Sequence, residues 1–416
     1  MKADKTPLDR ALWKLIDEHM TELVIALLIL VSVLIRALLA PNTELSPDYT
    51  FYCLDWVNKY REMGIAGGLS ITMGDYYTPL NLMYASCALF DCEPWLPLAI
   101  YSCTFEYIGT YFLYRILKLL LEEKGAAGAG KRAALAAVLT LFLPHTIINS
   151  ALWKQCDSIY FCFILISLWE MLREKYAAGF VFLAVSFAVK LQAVFYIPFY
   201  VAMYIAKRKY SIFNFFWIPA VYLIAGIPAV LCRHGLRATY LTYLYQTQEG
   251  VTEGYGMTAY YPNVYVFGLD DHYDLLSTPA VLLTLALLMA LALMINRFRS
   301  GLNMQNMVLV CCVLAWTCLM WLPSMHERYD YGIVILITAL SLLPDAKLWP
   351  CAAVLNFCTV ISHGITVFGA EKMKVLQYPA AAANILAWGC AAVLLVLRLK
   401  SCSSKPADVI KSRLVA

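Results

Sequence analysis

Carboxylates, cations and amides gather in a few short stretches of an otherwise apolar chain. SPDYTFYCLDW (46–56) carries Asp48 and Asp55, GDYYTPLNL (74–82) carries Asp75 and Tyr76, and WKQCDS (153–158) carries Gln155 and Asp157. KLQ (190–192) carries Lys190 and Gln192, and MHERYDY (325–331) carries His326, Glu327, Arg328 and Tyr329. Arginine and histidine beside lipid suit a phosphate, arginine through its planar fork. Asp48 follows Pro47 just after the first apolar run, at the depth of a lipid headgroup. A membrane enzyme with a lipid-borne substrate is the chemistry these residues suggest.

Each residue also has a plainer reading. Asp48, Asp75 and Asp157 could cap helices, Asp48 that of Trp56, Val57 and Tyr60. Lys190 either snorkels or meets an anion. MHERYDY could be an interfacial belt of aromatic anchors. The loop 233–277, with Tyr240, Tyr243, Tyr245, Tyr255, Tyr260, Tyr261, Tyr265, Tyr273 and Asn263, could stack on sugar faces or anchor at headgroup depth. HExxH is absent and the spacing is only HER, so a dedicated metal site is not favoured, although a divalent ion stays open.

The elements that must hold these residues are membrane helices. The chain has 416 residues, 62% of them hydrophobic and 14% charged, with a mean hydropathy of +0.67, which excludes a soluble globular class. Apolar runs near the ~20 residues that cross a bilayer occur at 23–40, 95–117, 133–149, 158–172, 212–232, 278–296, 304–322, 330–343, 347–368 and 379–397. The stretch 177–206 is too long for one crossing, and basic clusters flank it on both sides. It reads as two short helices meeting at Lys190, a break tolerated where backbone lines a cavity. The expectation is an all-α polytopic protein of about twelve transmembrane helices, two of them short.

Charge gives that array a direction. Alternating the spans from an inner N-terminus places most lysines and arginines inside, among them Arg115, Lys118, Lys131, Arg132, Arg173, Lys175, Lys207, Arg208 and Lys209, so both termini are expected in the cytoplasm of a cell-membrane protein. The chemistry-bearing stretches then all face outward. The net charge of +4 is spread over short inner loops and marks topology, not nucleic-acid binding. The first run reads as an uncleaved signal anchor. Of the 14 cysteines, most lie in apolar runs as small core residues; Cys87 and Cys92 face outward and could pair. Glu106 is the clear buried carboxylate within a span and is expected to have a polar partner.

The ordered series SPDYTFYCLDW, GDYYTPLNL, WKQCDSIY, SFAVKLQAVFYIP, YPNVYVFG and MHERYDY resembles bacterial membrane mannosyltransferases similar to the second mannosyltransferase of GPI-anchor synthesis, within the GT-C glycosyltransferases. The resemblance spans most of the chain. It implies a GT-C fold with an N-terminal module (1–232) whose large amphipathic first outer loop (41–94) holds the catalytic carboxylate, matched best by Asp48. A more variable module (233–416) follows, beginning with the tyrosine-rich loop. It further implies inverting transfer of a hexose, mannose by analogy, from a polyprenyl-phosphate sugar to a hydroxyl on a glycolipid, cell-envelope glycan or protein. Asp48 would be the base, and Arg328, His326 and Lys190 would face the departing phosphate. Asp330 and Tyr331 depart from the apolar run usual after HERY in the family, and Glu106 stands where aspartate is commoner. No P-loop or GxGxxG fingerprint is present.

The opposing class is a multi-span transporter or lipid flippase, which a broken helix pair and ionisable residues at membrane depth would also suit. Such folds often show repeated halves, and none is visible here. A third reading is a non-catalytic membrane subunit with a sugar-binding surface, which retained activity of the purified chain would exclude.

Overall fold

The computed structural model describes residues 6–252, 256–344 and 347–414, with backbone alone for 248–252 and 404–414. Tyr255 lies outside the described residues. Among these residues the fold is entirely helical. The helices begin with α1 (Pro7–Leu39), α2 (Leu54–Leu69), α3 (Thr78–Cys87), α4 (Trp95–Glu123), α5 (Ala129–Leu139), the single turn α6 (Pro144–Ile147), α7 (Asp157–Leu172), α8 (Tyr176–Val189), α9 (Ile197–Lys207) and α10 (Trp217–Leu231). The short α11 (Leu236–Tyr240) and α12 (Thr242–Thr252) precede α13 (Tyr273–Arg297), α14 (Met304–Trp321), α15 (Tyr331–Ser341), α16 (Trp349–Thr366) and α17 (Gln377–Leu414). A helix occupies every stretch read as a crossing. Five helices are long and apolar enough to cross a membrane, or six if the bent pair 129–152 is one span.

Apolarity is distributed as a bilayer demands. α14 is apolar on all sides and sits in the centre, its residues from Gln305 to Met320 all buried, as expected of a helix with no polar face. α7 and α15 pack around it. Gly332 permits that approach, because a Cβ there would collide with the Tyr196 hydroxyl and the Phe161 ring. The outer helices do the reverse and display leucines, such as Leu30, Leu34 and Leu38 on α1 and Leu282, Leu285 and Leu293 on α13. In water such faces would be a liability; against acyl chains they are solvated.

Two interruptions matter for the site. Pro144 disfavours the helical region at the residue before it. Leu143 is accordingly extended (φ −66°, ψ 139°), and the chain bends by 61° into α6 and a π-turn, Ile148–Leu152. The second break is at Lys190, extended at φ −150° and ψ 135° between α8 and the 3-10 turn Leu191–Tyr196 that leads into α9. This is the pair of short helices expected from 177–206.

Arg36 and Glu106 form a buried ion pair between α1 and α4, and Arg36 also donates to the Leu141 carbonyl at 2.8 Å. Glu106 thus has its expected partner. Arg36 lies in the last turn of α1 and is buried. All cysteines are free thiols, Cys87 and Cys92 included.

Candidate active site

The site forms where both interruptions meet the loop after α1. Ser46 Oγ donates to the Trp153 carbonyl at 2.9 Å, laying the loop after α1 along residues 153–156. The chain then enters a π-turn, Tyr49–Cys53. Asp48 precedes that turn but its side chain caps nothing; its Oδ2 accepts a hydrogen bond from Gln155 Nε2. The segment holding Gln155 is fixed in turn, since the Gln155 N–H donates to the Asn149 carbonyl at 2.9 Å.

Asp157 opens α7, is fully buried, and also spends its carboxylate on side chains. Oδ1 accepts from Lys190 Nζ at 2.6 Å and Oδ2 from Asn149 Nδ2 at 2.9 Å. The broken hairpin therefore delivers an ammonium to the start of α7, where it is wholly neutralised by its partner. Lys190 neither snorkels nor stands open.

Arg328 completes the group. It lies 3.9 Å from Asp48 Oδ2, 4.0 Å from Asp157 Oδ2 and 3.1 Å from Glu327 Oε1, with its guanidinium over the Trp153 ring at 5.2 Å. Burial opposes the charge on Arg328, but Asp48 and Glu327 outweigh it and hold the group protonated, well above the usual range. Burial likewise works against the Glu327 charge, yet the hydrogen bond from His326 and the neighbouring Arg328 bring its pKa down to about 2. His326 Nδ1 is 3.8 Å from Glu327, its ring packs on Tyr329, and Gln192 is within hydrogen-bonding reach of the Tyr329 side chain. Tyr76 stands behind the group, against Trp56 and Tyr84.

The tyrosine-rich loop clamps the arginine-bearing turn. Tyr261 N–H donates to the Met325 carbonyl at 3.2 Å, Ser324 N–H to the Met257 carbonyl at 2.9 Å, and Tyr265 Oη to the Trp321 carbonyl at 2.6 Å. Asn263 is buried and accepts from the Tyr265 N–H at 3.0 Å, so it caps a turn within this clamp.

Asp48, Gln155, Asp157, Lys190, Gln192 and His326 to Tyr329 are thus brought together, while Asp55 and Asp75 are not. Asp55 lies on the exposed side of α2, paired with Lys59 at 2.6 Å, because Val57 and Tyr60 take the buried side. Asp75 is exposed and does not cap α3, whose first turn begins at Tyr77 without a side-chain bond. Sequence reasoning passed over Asn149, Trp153, Lys154 and a buried trio behind Arg328: His145, His363 and Asp330. His145 joins the other two, lying 3.8 Å from Asp330 and ring to ring with His363 at 4.8 Å. Asp330 was visible as a charge in an apolar run; the histidines carried no signal beyond their scarcity. Among the described residues no three histidine, cysteine or acidic side chains gather as a metal shell. No protein-family model matches the chain, and no curated protein matches it.

Proposed function

We propose that this chain is an inverting glycosyltransferase that moves a hexose, mannose by the family resemblance, from a polyprenyl-phosphate sugar to an acceptor hydroxyl at the outer membrane face. The observation that carries the reading is Asp48: a carboxylate 27% exposed, held by Gln155 and faced by Arg328 at the membrane-proximal end of the first loop. Asp48 takes the acceptor's hydroxyl proton. The freed oxygen bonds to the anomeric carbon as the bond from that carbon to the phosphate oxygen breaks, inverting the centre. The electron pair leaves with the polyprenyl phosphate, whose growing charge Arg328 and His326 stabilise. Lys190, tied to Asp157, acts by holding that carboxylate beside Arg328.

The test is sugar transfer by the purified protein from a panel of polyprenyl-phosphate sugars, with wild type and Asp48→Asn, each with and without EDTA. Donor consumption that falls on the order of 10² to 10⁴-fold in the variant supports the assignment, and indifference to EDTA makes the reaction metal-independent. No consumption, even with cell-envelope extract as acceptor source, turns attention to the transporter, for which the buried Lys190–Asp157 pair is the supporting feature.

A further inference from the structure

At the end of α7 away from Asp157, two arginines converge on one ring. Trp169 lies in the last turn of α7 and Arg173 closes that helix. α4 runs alongside, its Phe112 packing on Trp169 at 5.5 Å between ring centres. The Arg173 guanidinium stands 4.1 Å from the centre of the indole, and that of Arg115 on α4 stands 4.7 Å from it. A tryptophan face attracts a cation, but two cations on one ring repel each other, and their counter-charge is incomplete. Arg173 approaches Glu170 at 3.4 Å. Arg115 donates to the neutral Tyr111 hydroxyl at 2.7 Å, and Glu122, the nearest acidic residue along α4, is taken by Lys118 at 3.6 Å. Among the described residues no carboxylate lies within ion-pair distance of Arg115. Two arginines thus share a single carboxylate, and one positive charge has no protein counterpart.

The depth of this group follows from the uncovered side of α4. Leu96, Ile100, Ile108 and Tyr111 are exposed and recur with Arg115 at helical spacing, forming one strip. On a membrane helix such a strip faces acyl chains. From Leu96 to Arg115 the helix rises roughly 28 Å at 1.5 Å per residue, close to the ~30 Å of a hydrocarbon core. Beyond Arg115, α4 runs on to Glu123 and carries the exposed Lys118–Glu122 pair. Arg115 therefore stands where the acyl-facing strip ends, with Trp169 beside it, the depth at which tryptophan anchors a membrane protein. Both guanidinium groups are within reach from outside: Arg115 is half-buried and the Arg173 side chain is 31% exposed.

We infer that Arg115 and Arg173, stacked on Trp169, bind the headgroup of an anionic phospholipid whose acyl chains lie along the strip from Tyr111 to Leu96. An arginine fork matches phosphate oxygens with two parallel hydrogen bonds, and basic groups between helices at one membrane surface hold such headgroups. The ring orders both forks before the lipid arrives, which lowers the cost of binding. A zwitterionic lipid brings its own cation and leaves the charge at this ring unbalanced, whereas an anionic one supplies the missing charge. The surface lies a helix length from Asp157, so its lipid is not the sugar donor, and neither outcome below bears on Asp48.

The experiment is native mass spectrometry of the full-length protein released from detergent micelles that contain phosphatidylglycerol or phosphatidylcholine with the same acyl chains. Wild type should bind phosphatidylglycerol more tightly. Arg115→Gln and Arg173→Gln should each weaken that binding about fivefold, the scale of one basic residue at a membrane surface, and leave phosphatidylcholine binding unchanged. The double variant should lose the preference. A double variant that keeps the wild-type preference overturns the inference, as does wild type that binds the two lipids equally. Inorganic phosphate held through the same arginines while phosphatidylglycerol is not makes the occupant a soluble anion and overturns the lipid. Should the variants fail to fold, wild type decides: a preference for phosphatidylglycerol that weakens when salt is raised about tenfold supports the site, and a preference indifferent to salt overturns it.

Discussion

A carboxylate at the start of a helix can satisfy backbone N–H groups or reach outward to side chains, and Asp48 and Asp157 both do the second. That choice is what makes them chemically available. For Asp48 it hangs on one amide, Gln155, whose neutrality matters as much as its hydrogen bond. Gln155→Glu sets two carboxylates against each other, which favours a shared proton on the pair. Transfer activity should fall about tenfold or more near neutral pH and recover as pH rises; a pH–rate profile that superimposes on wild type would remove Gln155 from the base's environment. Glu327 makes a second prediction. Its pKa is about 2 in the fold against an ordinary 4.5. A depressed carboxylate contributes stability that is complete above its unfolded pKa and lost as pH falls through the folded one, on the order of 3 kcal/mol here. Melting of wild type should therefore drop across pH 5 to about 2 more steeply than that of Glu327→Gln. Parallel curves would contradict the ion-pair account of this turn.

At the scale of elements, the site is made by two breaks, and they were unequally legible. The stretch 177–206 announced its break by length, since about thirty apolar residues exceed one crossing, and by a lysine at its midpoint. The bend at Pro144 was hidden, because 133–149 has the length of one ordinary span and the π-turn beyond it leaves no periodic mark. For the same reason Lys190 could be named as a site residue but not paired with Asp157, and Asn149 was passed over: both meet Asp157 only once both breaks are formed. The break at Lys190 is thus held by a buried ion pair. Removing one partner leaves an uncompensated charge, so Lys190→Met should cost roughly 3 to 5 kcal/mol, whereas Lys190→Met with Asp157→Leu should recover part of that loss. Thermal melting of wild type, both single variants and the double variant in one detergent decides it. A double variant less stable than wild type by the full sum of the Lys190→Met and Asp157→Leu losses, each measured alone, would show that the two charges do not act as a pair.

For the whole molecule, composition made the helical, lipid-facing character plain, and motif order brought forward most of the residues that converge. What stayed hidden was long-range and pairwise. The Arg36–Glu106 pair joins α1 to α4, and His145 meets Asp330 across less than half of the chain's length; neither partner's choice is written in local pattern. Asp55 and Asp75 lie in the same loop as Asp48 but on its solvent side, away from the cluster. The orientation of the assembly follows from a separate physical signal. The site's cations, Arg328 and Lys190, sit among carboxylates and so exert little topological pull, whereas Arg173 and Lys175 before α8 and Lys207, Arg208 and Lys209 after α9 are grouped on the loops at the opposite ends of these helices. Positive residues in short loops resist translocation, so we expect that end in the cytoplasm and the Asp48–Arg328 site outside. A green fluorescent protein fused after Lys209 should fluoresce, and alkaline phosphatase fused after Asp271 should be active. The converse pattern would turn the molecule over, put Asp48 on the cytoplasmic face, and require an acceptor and a donor headgroup presented from within the cell.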